Sequence, residues 1–316
     1  MKAVLSCLVV AASLSNSGQL AAQASCRMSV PVIALASGPA GGIAANDLRA
    51  TVNGHEITIK EINQPPATRR FVFVLDRSGS MIGVRNPPDS TAPYDLDRLM
   101  RQSVEQSLGE IPTGDSIAFL AFSGKQSSSW GFASQPAALA NLPAILAWRP
   151  GKGVHKTPLW QNIETALKLL SPYEPGDVIV VVSDGRDNMS KLSKDRVQND
   201  LLTAGVPILA VIIANPYAPA TMDGADGLRD FVGLADSTGG AAAVADERVA
   251  AAFQFRISLL QPDQLIPLLA HQYEVELETP SIQKREKWEL KANSTAAGKK
   301  LDLLYPRYLL PCTETH

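Results

Sequence analysis

Three oxygen-bearing side chains alternate directly after an apolar run. Residues 71–75 are apolar, and Asp76, Ser78 and Ser80 follow at every second position. Five apolar residues without alternation predict a central strand of a parallel sheet, buried on both faces. Ligands collect at the carboxyl ends of such strands, and Gly79 lets the loop curl so that the three oxygens converge. Carboxylate and hydroxyl oxygens suit a hard cation, so this stretch predicts a calcium or magnesium site.

The Asp-x-Ser-x-Ser pattern resembles the metal-ion-dependent adhesion site of von Willebrand factor A (VWA) domains. Two later pieces of the sequence match the same family. Thr157 precedes a helical pattern at 159–170, and Asp184 follows a second apolar run at 178–182. The resemblance therefore implies a metal site formed by Asp76, Ser78, Ser80, Thr157 and Asp184.

The resemblance also implies how the site works. The three hydroxyls would touch the ion directly, and the two carboxylates would act directly or through water. Mg²⁺ is the expected ion, with Mn²⁺ or Ca²⁺ as alternatives. One coordination position would stay open for an Asp or Glu of a protein partner, because mostly neutral ligands leave the ion enough positive charge to attract an external carboxylate.

The chain between residues 67 and 272 alternates apolar runs with helical patterns. One such pattern, at 96–108, carries an apolar stripe at spacings of three to four residues and is expected to pack on the sheet. Strands alternating with helices predict an α/β fold with a doubly wound, mainly parallel sheet. The carboxyl edge of that sheet would hold the metal.

The two ends of the chain have a different pattern. Asn53-Gly54 separates two alternating runs, which predicts a β-hairpin. Strands are expected near 273–277, 287–292 and 301–305. Since an isolated hairpin is marginal, we expect these segments to pair in one small β-subdomain. Residues 30–42 suit an edge segment followed by a loop.

This arrangement divides the chain into four parts: a signal peptide at 1–24, an N-terminal β segment at 25–66, a VWA domain at 67–272 and a C-terminal β segment at 273–316. It is similar to the secreted VWFA-related family first described from Acidobacteria, with matching features at Asp47, Asn53-Gly54 and Tyr273. Arg77 and the Pro-rich stretch 82–93 depart from that family's pattern and leave the ligand's identity open.

The leader and the cysteines indicate export. Lys2, an apolar run and Ala22-Gln23-Ala24 form the zones of a secretory signal peptide, with cleavage expected after Ala24. No run reaches the roughly 20 residues of a membrane-spanning helix. Cleavage removes Cys7 and leaves Cys26 and Cys312, for which a disulfide is expected in a secreted or periplasmic protein. Two free thiols, or lipid attachment at Cys26, are the alternatives.

The composition of the chain limits the classes of function that it can have. Of the 316 residues, 45% are hydrophobic, which is typical of a globular protein. The net charge is −2, so the chain lacks the excess of positive charge that is typical of nucleic-acid-binding proteins. The expected function is metal-dependent binding of a protein and not catalysis. A metal-dependent hydrolase and a metal-free structural or assembly domain remain the alternatives, and oligomeric state is left open.

The partner surface is expected around the metal. The segments 82–93 and 215–224 should contact an acidic segment of the partner, with Arg77, Arg186 and Asp187 at the rim of the site.

Overall fold

The computed structural model describes residues 25–36, 43–64, 67–81, 84–85, 94–150, 156–214, 222–252, 260–293 and 301–312. The predicted signal peptide, most of 82–93 and most of 215–224 lie outside these residues. The strands are β1 Ser25–Ala36, β2 Leu48–Val52, β3 His55–Asn63, β4 Arg70–Asp76, β5 Val84–Arg85, β6 Tyr94–Asp95, β7 Ser116–Ser123, β8 Gln126–Ser134, β9 Val178–Ser183, β10 Ile208–Ile212, β11 Ala241–Val244, β12 Gln272–Pro280, β13 Glu286–Ala292, β14 Leu301–Leu304 and β15 Tyr308–Leu309.

The helices mostly alternate with the strands of the middle region. They are α1 Leu96–Gly109, α2 Gln135–Ala147, α3 Leu159–Leu169, α4 Lys194–Ala204, α5 Met222–Ser237, α6 Glu247–Ala252 and α7 Pro262–Leu268. Pro143 lies inside α2 without ending it. The β5 and β6 segments pair only with each other.

The middle region forms a six-stranded sheet in the order β11-β10-β9-β4-β7-β8. All neighbours are parallel except β8, which runs antiparallel to β7 at the edge. The central strand β4 is buried along its apolar length, as its uninterrupted apolar run predicts. An α/β fold with a mainly parallel sheet is therefore confirmed.

Helices cover both faces of this sheet. Alternate residues of β4 point to opposite sides, because side chains alternate along a strand. Phe71, Phe73 and Leu75 pack with the apolar stripes of α1, α2 and α7. Val72 and Val74 pack with α3, α4 and α5 on the other face. The two hydrophobic cores hold the sheet rigidly from both sides, which keeps the strand ends in fixed positions.

The chain ends form a second sheet of seven strands in the order β14-β1-β12-β3-β2-β13-β15. Its pairings are antiparallel, so the doubly wound description applies only to the first sheet. The predicted hairpin is present, and Asn53 and Gly54 have φ of 51° and 81°, as a tight hairpin turn requires. The sheet is larger than the five predicted strands because β1 and β15 also join it. The domain boundaries stay a prediction.

The prediction of an edge segment at 30–42 is wrong for residues 30–36, because they belong to β1, which has a neighbouring strand on each side. Strand β1 lies between β14 and β12, yet β14 pairs only with residues 33–36. Pro31 therefore falls where β1 borders β12 alone, and its missing N–H removes no ladder hydrogen bond on the other side. Cys26, at the start of β1, is bonded to Cys312 with a Cα–Cα distance of 6.1 Å. The expected disulfide is confirmed, which argues against the lipidated and free-thiol alternatives.

Candidate metal centre

Asp76 ends β4 at the carboxyl edge of the parallel sheet and is completely buried. Its Oδ1 accepts a hydrogen bond from the N–H of Ser78 at 2.9 Å. Its Oδ2 accepts one from the hydroxyl of Ser183 at 2.7 Å. The carboxylate is therefore held in one orientation by the loop that follows β4 and by the end of the neighbouring strand β9.

The loop after Asp76 brings two hydroxyls together. The N–H of Met81 donates to the carbonyl of Ser78 at 3.0 Å, which closes a tight turn. Within this turn the hydroxyl oxygens of Ser78 and Ser80 lie 3.1 Å apart. Ser78 is buried and Ser80 is half-buried. The predicted convergence of alternate side chains is thus present for this loop.

Asp184 lies on the adjacent loop, one residue beyond the end of β9. Because β9 pairs directly with β4, the two carboxylates emerge at the same sheet edge. Asp184 is 8% exposed, its Oδ1 accepts the N–H of Arg186 at 3.1 Å, and its Oδ2 lies 3.9 Å from Nε of Arg186. The side chain is buried and is held by its own loop.

Thr157 is buried in the loop before α3, where it is fastened to the loop after Asp184. The N–H of Thr157 donates to Oδ1 of Asn188 at 2.8 Å, and the N–H of Asn188 donates to the carbonyl of Thr157 at 3.0 Å. Oδ2 of Asp187 accepts the N–H of Trp160 at 2.9 Å. The two loops that carry Thr157 and Asp184 therefore form one hydrogen-bonded unit.

The electrostatics of the two carboxylates depend on each other. Burial raises the pKa of Asp76 to about 7, and the negative charge of Asp184 adds to this, against the hydrogen bonds from Ser183 and Ser78. Burial also raises the pKa of Asp184, opposed by hydrogen bonds from Ser80 and from the N–H of Arg186. Two buried carboxylates that disfavour each other's charge form a place where a cation would be stabilised.

The donor set fits a hard divalent ion. Two carboxylates and the hydroxyls of Ser78 and Ser80 supply oxygen ligands only, the kind that Mg²⁺, Mn²⁺ and Ca²⁺ bind. Across the described ranges no three His, Cys, Asp or Glu side chains cluster as metal ligands would.

The predicted rim residues differ in their positions. Arg77 is only 1% exposed, so its expected place at the rim is wrong. Its guanidinium turns inward, where Nη2 lies 2.9 Å from Oδ1 of Asp97 and Nη1 lies 3.0 Å from Sδ of Met100. Asp187 also turns inward, onto backbone N–H groups. Only Arg186, whose side chain is 40% exposed, occupies a rim position.

Ser183 is a functional candidate that the sequence did not indicate, and Asn188 is expected from the sequence only as part of a polar rim beside Asp184. Ser183 orients the Asp76 carboxylate, and Asn188 fastens the Thr157 loop. Only their positions in the sequence could have indicated these two residues. Ser183 is the final residue of a strand predicted to end beside the metal, and Asn188 follows Asp184 in the same loop. Neither position reveals a partner until the strand order is known.

Comparisons with known proteins give distant structural likenesses. No protein-family model matches the chain, and no curated protein matches it. An aerotolerance-related membrane protein from Bacteroides fragilis has 14% identity and a TM-score of 0.45 over 63% of this chain and 98% of its own. A von Willebrand factor type A protein from Catenulispora acidiphila has 11% identity and a TM-score of 0.43 over 91% and 74%.

A third likeness is to proximal thread matrix protein 1 from the mussel byssus, whose structure has a zinc-occupied metal-ion-dependent adhesion motif. Its identity is 14% and its TM-score 0.44, over 73% of this chain and 50% of that protein. With TM-scores below 0.5, none of these likenesses decides the family or the function of this chain. Separately, none of the helices in the described ranges is long and apolar enough to cross a membrane.

Proposed function

We propose that this chain is an exported VWA-type module that binds a protein partner through a divalent metal ion. The ion would be Mg²⁺, or Mn²⁺ or Ca²⁺, held by Asp76, Ser78, Ser80, Thr157 and Asp184. The observation that carries the proposal is the meeting of two buried carboxylates and a pair of hydroxyls at one edge of a parallel sheet. This is the edge at which ligands bind in α/β folds.

The residues of the site have different tasks in this proposal. Asp76, fixed by Ser183 and by the N–H of Ser78, would supply negative charge at a constant position. Asp184, which is 8% exposed whereas Asp76 is fully buried, would supply the second carboxylate. The bound ion would supply a positive charge that attracts an Asp or Glu of the partner. The Asn188 hydrogen bonds would keep the Thr157 hydroxyl beside the other ligands.

We infer the same cellular setting from two features. The predicted signal peptide at 1–24 would direct the chain out of the cytoplasm, and the Cys26–Cys312 disulfide suits an oxidising compartment. Secretion or a periplasmic location follows, and membership of the acidobacterial-type VWFA-related family remains part of the proposal. Binding without turnover is the proposed activity.

Titration calorimetry of the full chain with MnCl₂ and MgCl₂ tests the metal site. Wild type should bind one ion, and Asp76→Ala should remove measurable binding because it deletes an anionic ligand. Glu289→Ala is the control, since Glu289 is exposed on β13 of the other sheet, and its loss should leave binding unchanged. Equal binding by wild type and Asp76→Ala, or no binding by wild type, would contradict the assignment.

Metal-dependent hydrolysis of phosphoesters or peptides that Asp184→Ala abolishes would instead identify an enzyme.

A further inference from the structure

A groove of about 290 Å³ opens beside the Thr157 loop. Its walls are the turn between β7 and β8, the first half of α3 and the segment that follows the Asp184 loop. Because Phe122 of β7 pairs with Asp76 of β4, the β7–β8 turn lies at the same sheet edge as the candidate metal ligands. The groove therefore opens on the face of the molecule where the proposed partner would arrive.

The groove is continuous with the loops of the metal centre. Pro158, which lines it, directly follows Thr157, and Met189, which also lines it, directly follows Asn188. The N–H of Gly124 in the β7–β8 turn donates to the carbonyl of Lys156 at 2.7 Å. One hydrogen-bonded set of loops thus carries both the candidate ligands and the groove walls.

The charge of the groove is positive and uncompensated. Lys125 and Lys191 line it, and no Asp or Glu does. Both lysines are exposed, and neither forms an ion pair with another described residue. The nearby carboxylates have partners elsewhere: Asp187 accepts from Trp160, Met189 and Ser190, and Glu164 pairs with Lys168 at 2.8 Å.

The backbone of the groove favours a peptide over a phosphate. The N–H groups at the start of α3 already donate to acceptors: that of Trp160 to Asp187 at 2.9 Å, that of Gln161 to the Ser190 hydroxyl at 3.0 Å, and that of Asn162 to the Pro158 carbonyl at 3.2 Å. No free amide cradle remains there for a phosphate group. Flexible lysine ammonium groups are suited to separate carboxylates spaced along an extended chain.

We propose that this groove binds an acidic segment of the protein partner, with further Asp or Glu side chains of that segment on Lys125 and Lys191. The proposal rests on the proposed function, since the metal would take the first carboxylate of the same segment. It identifies the partner by chemistry: a flexible or loop segment with several neighbouring acidic residues. Long-range attraction to such a segment would also speed association.

The test uses the full chain and a fluorescein-labelled hexaglutamate peptide, with binding followed by fluorescence anisotropy in the presence of Mn²⁺. Wild type should bind the peptide, and K125E/K191E should weaken binding by about tenfold, because two exposed attractions become repulsions. K287E/K291E is the matched control: both lysines are exposed on β13 of the other sheet, and the charge change is identical. Mn²⁺ affinity, measured by calorimetry, should be the same in all three proteins.

The outcomes separate this proposal from that of the metal site. Peptide binding that is weakened only by K125E/K191E supports the groove, and hexaglutamate binding by a wild type that does not bind Mn²⁺ would retain the groove while rejecting the metal-dependent function. Equal weakening by both double variants would overturn the groove, because net charge would then explain the effect. No binding of hexaglutamate to wild type that binds Mn²⁺, or undiminished binding to K125E/K191E, would overturn it as well.

Discussion

Asp76 is enclosed on all sides and shares its surroundings with a second carboxylate. Burial and the charge of Asp184 raise its pKa to about 7, above the model-peptide value of 3.8. The folded protein therefore binds a proton at Asp76 more tightly than the unfolded chain does. Between pH 4 and 7 the folded state holds more protons at this site, so unfolding becomes easier as the pH rises.

This gives a prediction for the metal-free protein. In EDTA, the contribution of Asp76 to the free energy of unfolding should fall as the pH rises from 4.5 to 7, by at most about 1.4 kcal/mol per pH unit. Asp76→Asn should lack this dependence, because its side chain does not titrate. Urea unfolding at several pH values measures both slopes. Parallel slopes for wild type and Asp76→Asn would mean that Asp76 has an ordinary pKa.

Individual site residues were the part of the molecule that the sequence predicted best. Asp76, Ser78 and Ser80 could be identified from alternate spacing at a strand end, since that spacing directly sets which side chains converge. The inward turn of Arg77 could not, because an Arg between two ligands is equally compatible with a rim position. Its orientation depends on Asp97, a residue of α1, which lies beyond the Pro-rich stretch 82–93 in the chain.

At the scale of elements, Arg77 links three parts of the chain. It belongs to the loop that follows Asp76, and its guanidinium contacts Asp97 in the first turn of α1. The other oxygen of Asp97 lies 2.8 Å from Nη2 of Arg149, just beyond α2. The burial of Arg77 lowers its pKa, and the nearby Asp97 opposes that change. A buried charge of this kind is stabilised by its partner and costly without it.

Removing the two partners should therefore have unequal effects. Asp97→Ala should destabilise the protein by roughly 2–4 kcal/mol, somewhat less than for a fully buried pair because Asp97 is 30% exposed. Arg77→Met replaces the guanidinium by an apolar chain beside Met100 and should cost less than about 1.5 kcal/mol. Arg77→Met/Asp97→Ala should recover most of the loss caused by Asp97→Ala.

Urea unfolding of the three variants measures these differences as a double-mutant cycle. Asp263→Ala is a suitable control, since Asp263 is exposed in the first turn of α7. Simple additivity of the two single changes would show that Arg77 and Asp97 are not energetically coupled.

Some strands could be placed from the sequence and others could not, as the hairpin and β1 illustrate. The hairpin at Asn53-Gly54 follows from local backbone preference, because only a few residues accept positive φ. The position of β1 between β14 and β12 depends on strands that lie more than 200 residues away. A Pro-containing apolar run carries no local signal for such partners, so it was interpreted as an edge.

On the scale of the whole molecule, Ile33 of β1 packs into the hydrophobic core of the first sheet, and a set of polar and backbone contacts joins the two sheets elsewhere. Arg307, beside β15, donates from Nη2 to Oδ1 of Asp236 in α5 at 2.7 Å. Thr238 forms a bridge with Pro306, and Gly239 lies there with φ of 82°, where an added Cβ would be 2.7 Å from Cδ of Pro306. These contacts are on the side of α5 and β15, and none of them involves the candidate metal ligands.

The disulfide acts at this largest scale. Cys26 and Cys312 are separated by 286 positions, and the bond connects the start of β1 with the residue that pairs with Ile282. It closes a loop over nearly all of the described residues, and closing a loop lowers the entropy of the unfolded state. The bond lies in the seven-stranded sheet, whereas the candidate metal ligands lie at the edge of the other sheet.

We therefore expect the disulfide to stabilise the protein without affecting metal binding. Cys26→Ser, Cys312→Ser and the double variant should each lose about 2–5 kcal/mol of unfolding free energy, and the double loss should equal the single ones, because either change removes the same bond. Mn²⁺ affinity by calorimetry should match wild type in all three. Reduction of wild type should reproduce the loss of stability in urea unfolding and leave the reduced double variant unchanged. A variant that keeps its stability but loses Mn²⁺ affinity would instead show that the chain-end sheet positions the metal loops.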